Sequence, residues 1–459
     1  MKQLIMVLGL VSYACLAGAT AKDLEAYSSK DFLKKILPTG CQPKGAKMAP
    51  DGKYLYLAEM CGKVDPKTKK RVPTASIYDV EKMTLHKTLI TPAGIRKNGI
   101  LANTEVDFTL DGKWALIARA EGDADSEVFK NQGLVTVVNT KTQKIAKYIP
   151  TYGQGAKIIA TRPAVTRMRN PQQIVYVANY FSDDISVLDF TTMQDNGKLD
   201  GTAHFVKKID LQTHFKPPVN HGYKIAPRGV AFTPDGSRAL VLNTESGSIF
   251  VVDSINHRQL AELAPIGKDL AGRELNVRHI VTSKDGELAY LSHMRGNAVS
   301  RISVRKLMET VEAMPDKGPE AVLPESTWND LLVPFNTASG LQKILILEDY
   351  PKDHPNFPNK KWPLAHPNTI VLDPINNRYL YVSARTTTTV GDTSVDSRIA
   401  GKIDVVDTVN GNVVFTFVGG SQPTALEISP DGKTLISSAL VGAKLFFFDV
   451  GKVLKIYEQ

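Results

Sequence analysis

The sequence predicts an all-β chain folded as a seven-bladed β-propeller of four-stranded antiparallel blades, with an insertion in blade five. Three observations carry the prediction. One turn phrase recurs along the chain, each copy leads into a short apolar strand, and the copies are spaced by about 55–60 residues, the length of a four-stranded sheet.

The turn comes first because it sets the register. It reads Pro50-Asp51-Gly52-Lys53, Leu110-Asp111-Gly112-Lys113, Pro234-Asp235-Gly236-Ser237, Lys284-Asp285-Gly286-Glu287 and Pro430-Asp431-Gly432-Lys433. Looser copies are Arg169-Asn170-Pro171-Gln172 and Pro374-Ile375-Asn376-Asn377. Asp-Gly and Asn-Asn between apolar runs are hairpin chemistry, since such turns need residues that tolerate positive φ.

Strands follow each turn. Tyr54-Leu55-Tyr56-Leu57, Trp114-Ala115-Leu116-Ile117, Ile174-Val175-Tyr176-Val177 and Ala239-Leu240-Val241-Leu242 are the first four. Leu288-Ala289-Tyr290-Leu291, Tyr379-Leu380-Tyr381-Val382 and Thr434-Leu435-Ile436-Ser437 complete seven. A strand precedes each turn, as at 229–233 and 425–429, and another follows that often ends in Asp: Asp79, Asp189, Asp253, Asp407 and Asp449, with Asn139 and Ser303 in the remaining places. A short polar side chain there can accept from the backbone two residues on and close the turn into a fourth strand. Fourth strands are legible at 144–149, 205–211, 260–263 and 413–418. A solenoid would show fewer strands per shorter repeat, and a sandwich would lack the copied turn. Seven such units use up the mature chain, so the two or three domains suggested by length alone give way to one.

Two stretches depart from the pattern. Between the fifth and sixth turns the spacing grows to about 90 residues, and 307–363 reads as an insertion. It holds short helices expected at 307–313 and 325–332, a strand at 343–347 that would be the outer strand of blade five, and a Pro- and Lys-rich run at 350–363. At the other end, 22–37 reads as an N-terminal segment with a capped short helix at 29–37, and the propeller is expected over 38–459. Two segments compete to supply the outermost strand of the last blade: the tail of 29–37, and 453–457.

The first 21 residues read as a removed secretory signal. Lys2 gives a positive start, 4–16 is mostly apolar, and Ala19-Thr20-Ala21 has the small-x-small form of a cleavage site. The apolar run is shorter than the about 20 residues of a membrane-spanning helix. Cys15 could anchor a lipoprotein, but the third position before it, usually Leu, is Ser12, which favours release to the periplasm or exterior. The other two cysteines, Cys41 and Cys61, are then expected to form a disulfide in an oxidising compartment. Net charge is +9, or about +8 without Lys2, which permits attraction to anionic surfaces without defining any.

Tyr176-Val177-Ala178-Asn179, followed by Ile185-Ser186-Val187-Leu188-Asp189, resembles the YVTN family of β-propeller repeat proteins. Further copies lie at 278–302 and 422–450, so the resemblance covers nearly the whole mature chain. It implies the propeller fold. For function it implies only a range, from binding proteins through lactonase-like enzymes to domains attached to redox centres, because one fold hosts many activities.

Propellers bind at a mouth of the central channel, near the residues that lead into each innermost strand. Counting back from the turns aligns Pro43, Asn103, Pro163, Pro227, Val277, Pro367 and Pro423; five prolines of seven mark a rigid, non-donating start. The next residues are Lys44, Thr104, Ala164, Arg228, Arg278, Asn368 and Thr424, with Glu105, Arg162, His279 and His366 close by. The expected ligand ring is thus Lys44, Glu105, Arg162, Arg228, Arg278, His279 and His366: four cations against one carboxylate. Such a ring suits a carboxylate or phosphate group. The competing role for its arginines is to tie neighbouring blades together.

Other chemistry is weakly signalled. His279 and His366 alone make a poor metal site, and Asp123-Ala124-Asp125-Ser126-Glu127 lacks the glycine and distal glutamate of a calcium loop. The basic run Lys67-Thr68-Lys69-Lys70-Arg71 has no interleaved aromatics, which argues against nucleic acid. Phosphate-binding glycine loops, haem-attachment motifs and nucleophile elbows are missing from the sequence. No catalytic residue, metal site or cofactor is therefore assigned. The expected function is an exported, monomeric, non-enzymatic binding scaffold of the cell envelope, for an unidentified protein or an anionic small molecule or glycan. The alternatives are a lactonase-like hydrolase or a cofactor-dependent oxidoreductase at the same mouth, and an inert channel whose blade-five insertion docks a partner.

Overall fold

The repeated turn closes a four-residue hairpin loop, and its chemistry repeats with it. Where the residue two before the Asp is Ser or Thr, its hydroxyl donates to that carboxylate: Thr109 to Asp111 at 2.7 Å, Thr233 to Asp235 at 2.6 Å, Ser283 to Asp285 and Ser429 to Asp431 at 2.5 Å. The glycine that follows takes a left-handed conformation, φ +70° at Gly52 and +77° at Gly286. These details come from a computed structural model. It describes residues 24 and 26–459, except 65–68, 70, 92–101, 121–131, 166–171, 194–204, 217–224, 269–274, 295, 316–317, 348–363 and 388–399. The signal segment 1–21 with Cys15, the acidic stretch 123–127, the turn residues 169–171, the run 350–363 and most of 67–71 lie outside the described residues.

Among the described residues seven blade sheets follow one another along the chain, and the two-stranded hairpin of Phe335–Thr337 and Gly340–Gln342 is an eighth, in the insertion. The innermost strands of the blades are Cys41–Met48, Asn103–Phe108, Ala156–Thr161, Pro227–Phe232, Val277–Thr282, Leu364–Leu372 and Pro423–Ile428. The second strands are the most buried; Trp114–Arg119 and Ile174–Asn179 are buried at every residue. Apolar clusters fill the seams between blades. Tyr56 of blade one meets Phe108 of blade two edge-on at 5.2 Å, and Tyr176 of blade three meets Phe232 of blade four at 4.9 Å.

The polar residue ending each third strand does what the sequence suggests. Asp79 accepts from Lys82 N, Asn139 from Thr142 N, and Asp253 from Ile255 N and Asn256 N, each at 2.8–3.0 Å. In blades five and seven the same position caps a helix instead. Ser303 accepts from Lys306 N to start Val304–Glu312, and Asp449 from Lys452 N to start Val450–Tyr457.

The N-terminal expectation needs correction. The helical part is one 3-10 turn, Ser29–Phe32, and Leu33–Pro38 is a strand paired with Lys444–Asp449. The propeller therefore begins at Leu33 rather than at residue 38, and its ring is closed by the chain's own start. Segment 453–457 is helical and packs with Phe32 against Phe415 and Phe417. Closure is also seen where blades seven and one touch: Leu55 and Leu57 pack with Ile436 and Phe447, and Thr424 Oγ1 donates to Pro43 O at 2.9 Å.

In the insertion, Ile344–Ile346 pairs with Ala298–Ser303 as the outer strand of blade five. Helical turns appear at Val304–Glu312, Glu325–Thr327 and Trp328–Leu331. Val322–Leu323, not expected, adds a short parallel strand to the outer edge of blade four. The Trp328 indole donates to Ala264 O at 2.8 Å, so the insertion clasps two blades.

Candidate functional site

A bulge builds the site. In blades one to five the ladder between the first two strands skips the same residue of the inner strand, Lys44, Thr104, Lys157, Arg228 and Arg278, and in blade one it skips Gln42 as well. A bulge leaves its extra residue unpaired and re-aims the side chain. Blades six and seven have their irregularity at the same place, spanning Asn368 and Thr424. Repetition around the ring thus turns a local backbone feature into a circle of side chains at one level of the channel.

That circle surrounds a constriction lined by Lys44, Lys157, Arg228, Arg278, Glu105 and His279, among others, with a cavity of about 20 Å³, room for roughly one water. It continues into a chamber of about 360 Å³, with Glu105, His279 and Thr424 lining both. The expected open funnel is therefore a narrow neck. Arg278 is 6 % exposed, whereas the side chain of Lys47, on the chamber wall three residues beyond Lys44, is 46 % exposed.

Five of the seven expected ring residues come together: Lys44, Glu105, Arg228, Arg278 and His279. Two do not. Arg162 is buried elsewhere, donating to Ser254 O at 2.6 Å and Gln172 Oε1 at 2.9 Å. The cause is register. In blade three the loop between inner strand and second strand is longer, so counting back seven from 170 stops short, at 163 instead of at Ala156. Gly155, with φ +73°, takes the place of Gln42, Ala226 and Gln422, all left-handed, and the residue two further on is Lys157. His366 is buried in Leu364–Leu372 opposite Arg385 and is not among the residues lining neck or chamber, so the two histidines do not meet at one cavity.

Sequence reasoning missed Arg385, on the second strand of blade six. Its guanidinium is pushed down to about 9 by burial and then by Arg228, and its buried Nε and Nη2 find no hydrogen-bond acceptor among the described residues. No repeat position marks it. Tyr180 was missed as well; the Arg228 guanidinium lies 5.8 Å from its ring and Lys157 Nζ 5.3 Å.

The basic side chains crowd one another. Burial, then Arg385, Arg228 and Arg278, hold the Lys44 ammonium well below its ordinary range. Burial, then Arg228 and Arg385, lower Arg278, whose Nε donates to Asn368 Oδ1 at 2.5 Å across the seam between blades five and six. Burial raises the Glu105 carboxyl to about 7, with Glu427 adding to the rise and Lys44 opposing it. His279 is pushed down to about 3 by burial and the nearby cations, so it stays neutral. Its Nδ1 accepts from Ile370 N at 3.5 Å, leaving Nε2 as the donor.

Beyond the neck the charge changes sign. Lys47 Nζ lies 3.3 Å from Glu427 Oε1, and Asp107 Oδ2 accepts from Thr161 N at 2.7 Å. Burial raises both carboxyls, and Glu427 raises the Lys47 ammonium. Among the described residues no group of three or more His, Cys, Asp or Glu is placed to hold a metal.

Fold and cavity together define a closed seven-bladed propeller with a charged axial chamber. The family described as "Lactonase, 7-bladed beta-propeller" matches residues 128–452, and the chain belongs to that family. It is 26 % identical over 314 residues to Antigen Lp49 of Leptospira interrogans serogroup Icterohaemorrhagiae serovar copenhageni, strain Fiocruz L1-130. That match takes in 66 % of this chain and spans half the length of the relative. Among solved structures it resembles the Myceliophteria thermophila Cps50 (Swd1) β-propeller domain, with a TM-score of 0.53 and 12 % identity, covering 90 % of this chain and 99 % of that one. At that identity the likeness concerns fold alone.

Cys41 and Cys61 form a disulfide at the start of blade one, with Cα atoms 5.1 Å apart, which fits an extracellular or periplasmic protein. No described helix is long and apolar enough to cross a membrane.

Proposed function

We propose that the chain is an exported binding protein of the cell envelope that holds the anionic group of a small molecule at the neck of its central channel. The observation that carries this reading is the convergence of four basic side chains, Lys44, Lys157, Arg228 and Arg278, on a narrow buried space that Glu105 also lines, with the buried Arg385 near enough to depress Lys44 and Arg278 further. Burying charges of one sign is costly unless a counter-charge is supplied, and guanidinium forks suit carboxylate or phosphate oxygens. Residues 1–21 as a cleaved signal belong to the same reading.

Calorimetric titration of the purified chain with hexanoate and with inorganic phosphate tests it. Binding of at least one is expected. Arg228→Gln should weaken it about tenfold with little change in melting temperature, since Arg228 faces the cavity and the Tyr180 ring. Arg278→Ala should cost about 2 kcal/mol of stability as well, because it leaves the Asn368 contact unmade. Unchanged affinity in both variants would defeat the proposal.

A hydrolytic reading has one observation in its favour besides the family: Glu105, with its carboxyl near 7, lines the same cavity as neutral His279. Glu105 would take a proton from water as its oxygen adds to a lactone carbonyl and return it to the ring oxygen as the C–O bond breaks, giving a hydroxy-carboxylate held by the arginines. Acid release from simple lactones, absent in Glu105→Gln, is its test.

A further inference from the structure

The chamber carries opposite charge at its two ends. Basic side chains ring the neck, while Asp107 and Glu427 stand at the far end with Lys47 between them. The two levels lie on the same strands. Lys44 and Lys47 are three residues apart on Cys41–Met48, a rise of about 10 Å. Between the levels the wall is largely apolar, with Ile158, Val230, Ile280 and Ile370 among its residues. An anion alone would use only the neck and leave two carboxylates at the other end unread.

We infer that the chamber takes a bipolar small molecule, with a carboxylate or phosphate at one end and an ammonium group at the other, separated by a short apolar spacer. This rests on the anion-binding reading of the neck. Lys47 is the counter-charge that such a ligand displaces. Its ammonium sits 3.3 Å from Glu427, yet its side chain is 46 % exposed on the chamber wall, so it has open space to move off Glu427 when a ligand ammonium takes its place. Glu427 Oε2 also accepts from Met48 N at 3.4 Å, and Asp107 from Thr161 N, so both carboxylates keep their positions through the exchange. A recognition site so arranged gains specificity from the second charge, because a simple anion leaves the far end unmatched.

Calorimetric titration of the purified chain with 6-aminohexanoate, hexanoate and 1,6-diaminohexane separates the possibilities. The three share a six-carbon chain and differ in their end charges. 6-Aminohexanoate should bind at least tenfold more tightly than hexanoate, and the diamine should bind more weakly than either. Asp107→Asn combined with Glu427→Gln should abolish the preference of 6-aminohexanoate over hexanoate. Lys47→Gln should raise affinity for 6-aminohexanoate several-fold, a gain that misfolding cannot imitate. Hexanoate binding as well as 6-aminohexanoate would overturn the bipolar reading while the anion site stands. Absence of binding by both would overturn the two together, and a Lys47→Gln variant that loses affinity would overturn the displacement step.

Discussion

Glu105 shows how a single side chain makes the neck responsive to pH. Its carboxyl is raised to about 7 chiefly by burial, so the folded state disfavours its ionised form. Stability contributed at this site is full below the ordinary carboxylate range, declines as pH rises towards about 7, and is constant above it. Binding follows the same sign. Below about pH 7 Glu105 is neutral and an anion meets only basic groups; above it the new negative charge opposes the anion. Hexanoate affinity should therefore fall about tenfold between pH 6 and pH 8, and Glu105→Gln should flatten the profile and melt higher than the parent above pH 7. A parallel profile in the variant would assign the titration to another group. The sequence places Lys44, Arg228 and Arg278 at the neck because each stands at a copied position two residues past a left-handed or bulged start. It misplaces Arg162 because the weak Arg-Asn-Pro-Gln turn hides a longer loop. Arg385 is invisible to any repeat argument, since its strand is marked only by apolar residues.

The turn is the element that both specifies a blade and joins it to its neighbour. Gly286 has φ +77°, and a Cβ on it would stand 2.7 Å from Pro234 Cδ in the turn of blade four. Gly52 has the same relation to Pro430, which links blade one to blade seven. Two separate demands thus fall on one glycine, a backbone conformation other residues adopt at a cost and a contact with no room for a side chain. Gly286→Ala should destabilise the protein by about 1–3 kcal/mol, read from chemical denaturation, with protection against hydrogen exchange lost first at the seam of blades four and five. A loss confined to blade five would separate the conformational effect from the packing contact. Turns are legible because both demands are written in two or three adjacent residues. The insertion is less so: its helices follow local patterns, but the pairing of Val322–Leu323 with blade four depends on a neighbour about 60 residues away.

Ring closure belongs to the whole molecule, and composition does not reveal it. Leu33–Pro38 carries two lysines and little alternation, and after a capped start it reads as helix as readily as closing strand; what makes it a strand is the edge of Lys444–Asp449 that it pairs. It is held by that ladder, by Tyr78 Oη donating to Pro38 O at 3.0 Å, and by Phe32 packed on Phe415 at 5.0 Å. The contacts join the first described residues to blades one, six and seven at once. Removing residues 24–38 should therefore act well beyond the missing segment. An exposed edge carrying Leu445, Phe446 and Phe448 would be left, a template for pairing with another chain. The truncated protein should melt more than about 10 °C lower and self-associate in light scattering, with hydrogen exchange rising in blades seven and one before the rest. A synthetic peptide of residues 24–38 added in trans should bind that edge, restore the melting temperature and reverse the self-association. If truncation left exchange in blade one unchanged, closure would not be transmitted across the seam. The neck could not then owe its geometry to the ring, because Lys44 of blade one faces Arg278 and Arg385 only while the first and last blades are held together.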